Sequence, residues 1–479
     1  MNRKVVDYLP IAFCLSIAIG MQIGKAMTYG FTIVWFLIAV KLAKPVGNKN
    51  YLNLNKLFLA FSIMPFLIEL YSLVLVLFGV EKMADFSLNL STFFAIILAY
   101  TALVLFKKQA LRIGFLIIFL SWFLVLGKGF LTQGFSVFSN AIALGWLGKS
   151  GVNILESSEL VLAAAYYWCI YLFMGKKEKK KTVILTILIL FMILLGFKRI
   201  TVLAVGASTI LYILFKYLNK ENKQKTLKAL SIAGIVVCLL YLVFVFNSAF
   251  FNKFLLKFGI DSMARNIFYE YICSNAKFSL FFTGLGRGSV MALMRQQYDG
   301  YIYVHSDILK MYVEIGFLFF IIYLAYYFIG LTKYIEKTYG LNCSIAYFIC
   351  ITFTFVLYLT DNTESYYICV FIRTLIPMYL CLYWNYFTNA NHKHMTGGKN
   401  GMYYFSDTWE AWIDLMEAVR QSEKEDGINK LWISLTCYVN PSPWYLQWAN
   451  SVWIQCVHDQ KDASFGTTKM NKQITYRDA

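Results

Sequence analysis

Charge is scarce in this chain: Asp, Glu, Lys and Arg make up 15% of its 479 residues, while 59% are hydrophobic. A domain exposed to water needs more polar surface than that, so a soluble globular fold is excluded before any motif is read. CxxC pairs are missing too. The 10 cysteines are scattered. Cys14, Cys169, Cys238, Cys350, Cys369 and Cys381 lie within apolar runs and Cys273 stands alone in a polar segment. That pattern predicts buried thiols acting as small hydrophobes, not a disulfide framework or a zinc site. Histidine is rarer still: of the 4 present, only His305 precedes the C-terminal region that holds His392, His394 and His458. No cleavable leader is visible, because Asn2-Arg3-Lys4 opens onto an apolar run followed at once by a second, the mark of a retained first helix.

What fills the chain is long apolar runs. A helix crosses the hydrocarbon core of a bilayer in about 20 residues. On that ruler the sequence predicts twelve spans, near 9–24, 28–43, 57–80, 88–106, 111–127, 159–175, 182–197, 200–217, 229–248, 308–330, 343–360 and 366–388. Aromatic residues, 18% of the chain, suit the headgroup region where Trp and Tyr rings settle. The expected fold is therefore an all-α polytopic membrane protein. Its first domain runs over residues 1–390 with one large extracytoplasmic loop at 249–307, and a separate tail follows over 391–479.

Net charge is +18. In a soluble protein this would point to nucleic acid; here it reads as the Lys and Arg that cytoplasmic loops collect, and no nucleic-acid partner is expected. With the N-terminus inside, the loops holding Lys44, Lys49 and Lys56, then Lys107, Lys108 and Arg112, then Lys176 to Lys181, then Lys220, Lys223, Lys225 and Lys228, then Lys333 and Lys337 all fall on the inner side. Two outer segments break this parity. One is the turn Lys198-Arg199; the other is the long loop, with Lys253, Lys257, Arg265, Lys277, Arg287 and Arg295. Cations held outside against the general bias point to an anionic ligand, although a loop of that length also escapes the charge rule by size alone.

The most informative stretch is Gly284-Leu285-Gly286-Arg287-Gly288-Ser289, then His305-Ser306-Asp307-Ile308-Leu309, then Glu314-Ile315-Gly316. Glycines permit an irregular backbone that can approach a ligand closely. A lone GxGxG says little; its position, outside the membrane and just before a histidine at the mouth of a helix, says more.

This stretch resembles the O-antigen ligase and Wzy-type polysaccharide polymerase family, which has a large late outer loop, a glycine turn, a His-Ser or His-Asn pair, and a helix reading Leu…Glu-x-Gly. Gly284-x-Gly286, His305-Ser306-x-x-Leu309 and Glu314-x-Gly316 carry the match, with Arg265 as the upstream loop arginine and Arg199 as the basic residue at the outer end of an earlier helix pair. Here Gly196-Phe197-Lys198-Arg199 replaces the family's small-residue-plus-Arg version. The resemblance implies a GT-C-like glycosyltransferase bundle in the bacterial cytoplasmic membrane with its active site facing outside. It implies a glycan carried on undecaprenyl diphosphate as substrate, and chain-length regulator and flippase proteins as partners beside the membrane lipids.

It also implies roles. Arg199 and Arg265 grip the diphosphate, since a guanidinium makes forked contacts to phosphate oxygens, and neutralise it as it departs. His305 meets the acceptor hydroxyl as a general base or orients it. Lys198, Arg287, Glu314, Gly284 and Gly286 bind substrate. The donor arrives activated, so no cofactor is expected, and no Asp-x-Asp motif in the outer loops asks for a metal. Blander readings stand beside these: His305 as an interfacial helix-start residue, Arg265 as a snorkelling cation, Glu314 as a bond within the bundle. Glu69 and Arg373 lie deep in spans, where an unpaired charge costs about 3 kcal/mol. They either pair with each other or line a polar cavity.

The tail changes character. Trp409, Trp412, Ile413, Met416 and Val419 predict a helix over 407–426, residues 430–439 a strand, and the Pro-rich turn at 440–448 the start of another helix. That is one βα-type unit on the cytoplasmic side, an appended fragment, and residues 432–443 weakly resemble a piece of a glycoside-hydrolase-type barrel. The rivals to the polymerase or ligase are a lipid-linked oligosaccharide flippase and a non-catalytic sensor or assembly protein with the tail as its signalling module; the outer Arg and His residues argue against the second. A flippase calls for even loops and repeated halves, and the sequence shows neither.

Overall fold

The computed structural model describes residues 3–388, apart from 43–48, 83–84, 87, 146–152, 157, 176–178, 180–181, 197, 259–264 and 299–302, together with 434–437 and 451–454. Within 3–388 the elements are helical. In chain order they are α1 (Arg3–Ile23), α2 (Lys25–Leu42), α3 (Lys49–Leu77), α4 (Leu90–Phe106), α5 (Ala110–Gln133), α6 (Ser136–Gly145), α7 (Ser158–Phe173), α8 (Val183–Gly196) and α9 (Arg199–Tyr217). They continue with α10 (Lys220–Phe246), α11 (Ser248–Phe258), α12 (Arg265–Asn275), α13 (Ser289–Gln297), α14 (Asp307–Ala325), α15 (Leu331–Tyr339), α16 (Leu341–Tyr358) and α17 (Tyr367–Thr388). Each apolar run read from the sequence is occupied by a helix.

Among the described residues, eight helical stretches are long and apolar enough to cross a membrane, and shorter apolar helices cover Tyr8–Ile23, Glu159–Phe173 and Val183–Gly196. The protein is thus an α-helical, multi-pass membrane protein. Burial sorts the helices. In α16 and α17, 78% of the apolar window is covered by protein, against 22% in α2, α9 and α10. The first pair forms the centre of the bundle and the others leave most of their apolar surface outward, as a surrounding hydrocarbon requires.

Alternation of the helices sends the described residues that connect α3 to α4, α5 to α7, α8 to α9, α10 to α14 and α16 to α17 to one end, called here the loop-rich end. Contacts bind that end together. Tyr71 Oη donates to the Thr283 carbonyl at 2.7 Å, the Arg287 backbone N–H to Ser72 Oγ at 2.8 Å, and Asn153 Nδ2 to the Leu195 carbonyl at 3.2 Å. At the opposite end Gln224 Nε2 donates to Glu336 at 2.6 Å and Tyr379 Oη to the Lys108 carbonyl at 3.0 Å.

The stretch from Asp307 to Tyr339 is the irregular one. It starts with a cap, Ser306 Oγ accepting from the Leu309 N–H at 3.2 Å. It breaks at Gly316 (φ 73°, ψ 175°) and widens into a π turn over Tyr326–Gly330 before α15. The break has a purpose in packing. The chain at 282–286 runs alongside it, with the Leu285 N–H on the Val313 carbonyl, the Gly286 N–H on the Glu314 carbonyl and the Phe317 N–H on the Phe282 carbonyl, all at 2.8–2.9 Å. A Cβ on Gly316 would sit 2.3 Å from the Thr283 carbonyl carbon, and one on Gly284 2.6 Å from the Glu314 oxygen. Only glycine lets two backbones approach this closely.

Residues 391–479 form a second compact unit. Its described part is a two-stranded parallel sheet, β1 (Ser434–Cys437) on β2 (Ser451–Ile454), with Ser434 opposite Ser451. Of the strand expected at 430–439, residues 434–437 are described and form β1. The helices expected over 407–426 and opening from 440–448 lie outside the described residues.

Candidate functional site

Two groups of charged residues are built at the loop-rich end, and they differ in access. The first gathers around the turn between α16 and α17. Asp361 and Asn362 are both buried there. Asp361 Oδ1 accepts from the Asn362 N–H at 2.8 Å and from Tyr366 Oη at 3.0 Å, and its carbonyl accepts from the Asp307 N–H at 3.2 Å. Lys198, the residue before α9, reaches over this turn, with Nζ 3.9 Å from Asp361 Oδ2 and 2.8 Å from Glu156 Oε1. Glu156 is 43% exposed. An ion pair at such a surface is worth about 0–1 kcal/mol, so an arriving anion can draw Lys198 from Glu156 at little cost.

His305 stands over the same turn in a left-handed backbone conformation (φ 57°). For a residue other than glycine this costs roughly 1–3 kcal/mol, and three hydrogen bonds oppose the strain. The His305 N–H donates to Asn362 Oδ1 at 3.2 Å, its carbonyl accepts from Tyr269 Oη at 2.9 Å, and ring Nδ1 lies 3.2 Å from Asn362 Nδ2. Burial lowers the His305 pKa from its usual value; Asp361 pulls it back up, and the charges of Arg265 and Lys198 push it further down. Burial and the two cations favour the neutral imidazole. Arg265, half-buried at the start of α12, has no carboxylate partner among the described residues. The cluster thus holds two cations, an imidazole and one deeply placed carboxylate, arranged to receive an anion.

The second group is closed. Arg287 is buried and forms a 2.8 Å ion pair with Glu314 Oε2, and its Nε lies 3.7 Å from Glu69 Oε1. The Gly288 N–H donates to Glu314 Oε1 at 3.1 Å. Burial works against the charge on Arg287, but Glu314, Glu69 and Glu364 outweigh it and hold the guanidinium protonated. Glu81 is packed so tightly against Gly286 that a Cβ there would overlap its carboxylate, and neither Glu81 oxygen has a hydrogen-bond partner. Burial first, then the charges of Glu314, Asp85 and Glu69, push Glu81 up to about 7. Below this joint Glu364 meets Arg373 Nη2 at 2.6 Å and accepts from Tyr358 Oη, while Lys310 Nζ donates to Ser365 Oγ at 3.0 Å.

The sequence-predicted residues divide along this line. His305 and Arg265 come together, and the cation that joins them is Lys198. Arg199, the residue favoured for the diphosphate, is exposed on the first turn of α9 and makes no ion pair among the described residues. Gly284, Gly286, Arg287 and Glu314 form the sealed joint, where the glycines admit the backbone of α14 and a glutamate in place of a ligand. Glu69 and Arg373 do not pair with each other: Glu69 serves Arg287 and Arg373 serves Glu364.

Sequence reasoning missed Asp361, Asn362 and Glu156. The available signal was the polar turn Asp361-Asn362-Thr363-Glu364, set between two apolar helices on the same side as His305. No family model, curated protein or solved structure matches the chain.

Proposed function

We propose that the protein is a membrane glycosyltransferase, a polymerase or ligase that joins glycan units carried on undecaprenyl diphosphate at the outer face of the bacterial cytoplasmic membrane. One observation carries the reading: at the loop-rich end Lys198 lies 3.9 Å from Asp361, and the charges of Lys198, Arg265 and Asp361 all act on His305. Two features support the orientation. The opposite end collects the exposed Lys107, Lys108, Lys220, Lys225, Lys228, Lys333 and Lys337, which by the positive-inside rule makes it cytoplasmic. The eight long apolar stretches, of which Leu90–Gln133 holds two helices, together with the three shorter apolar helices agree with twelve crossings.

In the reaction the acceptor hydroxyl oxygen attacks the anomeric carbon of the donor. The bond from that carbon to the diphosphate oxygen breaks, and its electron pair leaves with the diphosphate. Charge develops on the leaving group, so fixed cations beside it lower the barrier. Lys198 and Arg265 supply them, and His305 contacts the reacting groups.

The test replaces Lys198, Arg265 and His305 singly with Ala and follows glycan chain length in cells, together with the lipid-linked single units that accumulate when joining stops. Short or absent polymer with accumulated units is expected in all three. Normal chain length in all three overturns the proposal.

A further inference from the structure

The histidine of this site is poorly arranged to act as a base, and the reason lies in one amide. Asn362 Oδ1 accepts the backbone N–H of His305 at 3.2 Å. A backbone nitrogen only donates, so that end of the amide is the oxygen, and the side chain cannot be turned over without losing the bond. The other end, Nδ2, therefore faces His305 Nδ1 at 3.2 Å. An amide NH2 only donates, so Nδ1 accepts. A neutral imidazole carries one proton, and with Nδ1 engaged as acceptor that proton sits on Nε2.

We infer that Asn362 is a positioning residue that locks His305 as the Nε2–H tautomer, so that the imidazole donates a hydrogen bond to the substrate instead of removing a proton from it. The backbone contributes to the lock: the strained φ of His305 and the bond from Tyr269 Oη to its carbonyl hold the ring against Asn362. Asn362 is itself immobilised, fully buried with its N–H on Asp361 Oδ1. The charged groups acting on the ring are Asp361, Arg265 and Lys198, and burial with the two cations favours its neutral form.

The substrate group that fits a donor standing beside two cations is a diphosphate oxygen; this assignment rests on the function proposed above. The acceptor hydroxyl proton then passes to the departing diphosphate, whose newly terminal phosphate has a second pKa of about 6. Oxygen gains the anomeric carbon, the carrier keeps the bonding pair and takes the proton, and no external base is needed.

Two measurements on the full-length protein test the inference. The first is the 15N spectrum of histidine-labelled protein in nanodiscs near neutral pH, with the His305 signals assigned by subtracting the spectrum of His305→Gln. The expected pattern is a protonated Nε2 and a bare Nδ1, and Asn362→Asp, which turns the donor into an acceptor, reverses it. A protonated Nδ1 in the unsubstituted protein overturns the inference. No substrate is involved, so this arm stands apart from the proposed reaction.

The second arm is transfer. His305→Gln keeps an N–H donor near the Nε2 position but cannot act as a base. It is expected to retain activity within about tenfold, while His305→Ala loses about 100-fold, the usual effect of deleting one oxyanion donor. Equal loss in the two variants overturns the donor role. Absence of transfer in the unsubstituted protein overturns the glycosyltransferase reading and leaves the tautomer to the spectrum.

Discussion

The two charged groups at the loop-rich end both set cations against carboxylates and do opposite things. Around Arg287 the ions are closed off: Arg287 is 4% exposed and Glu314 0%. Around Lys198 they are half open, with the lysine 16% and its partner Glu156 43% exposed. In the closed group each ion has lost its water and depends wholly on the others; breaking such a pair leaves a bare charge in a poor solvent. In the open group water remains available, so partners can be exchanged for a ligand. Access, more than residue identity, separates a structural salt bridge from a binding site here.

The sharpest way to break the comparison is Arg287→Ala. It strands Glu314 and Glu69 together and is expected to destabilise the fold by about 3–5 kcal/mol. The readout is loss of monodisperse protein in detergent and a lowered thermal midpoint. Normal stability in this variant would remove the distinction between the groups.

Lys198→Ala and Arg265→Ala come next. Each is expected to cut transfer by about 100-fold, near 3 kcal/mol of transition-state stabilisation, while stability stays within about 1 kcal/mol. Kinetics and thermal melts on the same preparation check both halves.

A smaller effect is expected from Glu81. Its folded pKa, about 7, lies above the ordinary value of 4.5. Between those values the folded protein holds a proton that the unfolded chain has released, so stability is greatest at the acid end of that window and falls as pH rises through 7. Glu364, also pushed up to about 7 by burial against the pull of Arg287 and Lys310, acts in the same direction. Melting followed across this range should slope downward, and Glu81→Gln should flatten part of the slope. An unchanged slope would show that Glu81 is ionised throughout. The smallest effect belongs to Arg199→Ala, which should leave transfer within about threefold and stability within about 0.5 kcal/mol.

The helices were legible because a bilayer asks for one simple thing, a long apolar run, and the runs near 308–330, 343–360 and 366–388 landed on α14, α16 and α17. The break at Gly316 was not legible, since it depends on the chain at 282–286 arriving beside it. The site was half legible. His305 and Arg265 stood out as polar residues in a loop. The choice between Lys198 and Arg199 turns on the direction in which the first turn of α9 faces, and a two-residue turn in a sequence carries no such information. Asn362 was invisible for a related reason: an asparagine in a short loop is ordinary until its amide is seen spanning a backbone and an imidazole. The Gly-x-Gly motif drew attention correctly but for another use, the close crossing of two backbones.

The Arg287 joint has a consequence for biogenesis. Its halves are far apart in the chain: 215 residues separate Ser72 from the Arg287 amide that binds it. At roughly 5–20 residues per second, α3 and its Glu69 wait about 10–40 s before their counter-ion leaves the ribosome. During that interval a carboxyl group must enter the bilayer uncharged, or remain beside the insertion machinery, until the second half of the protein arrives to neutralise it.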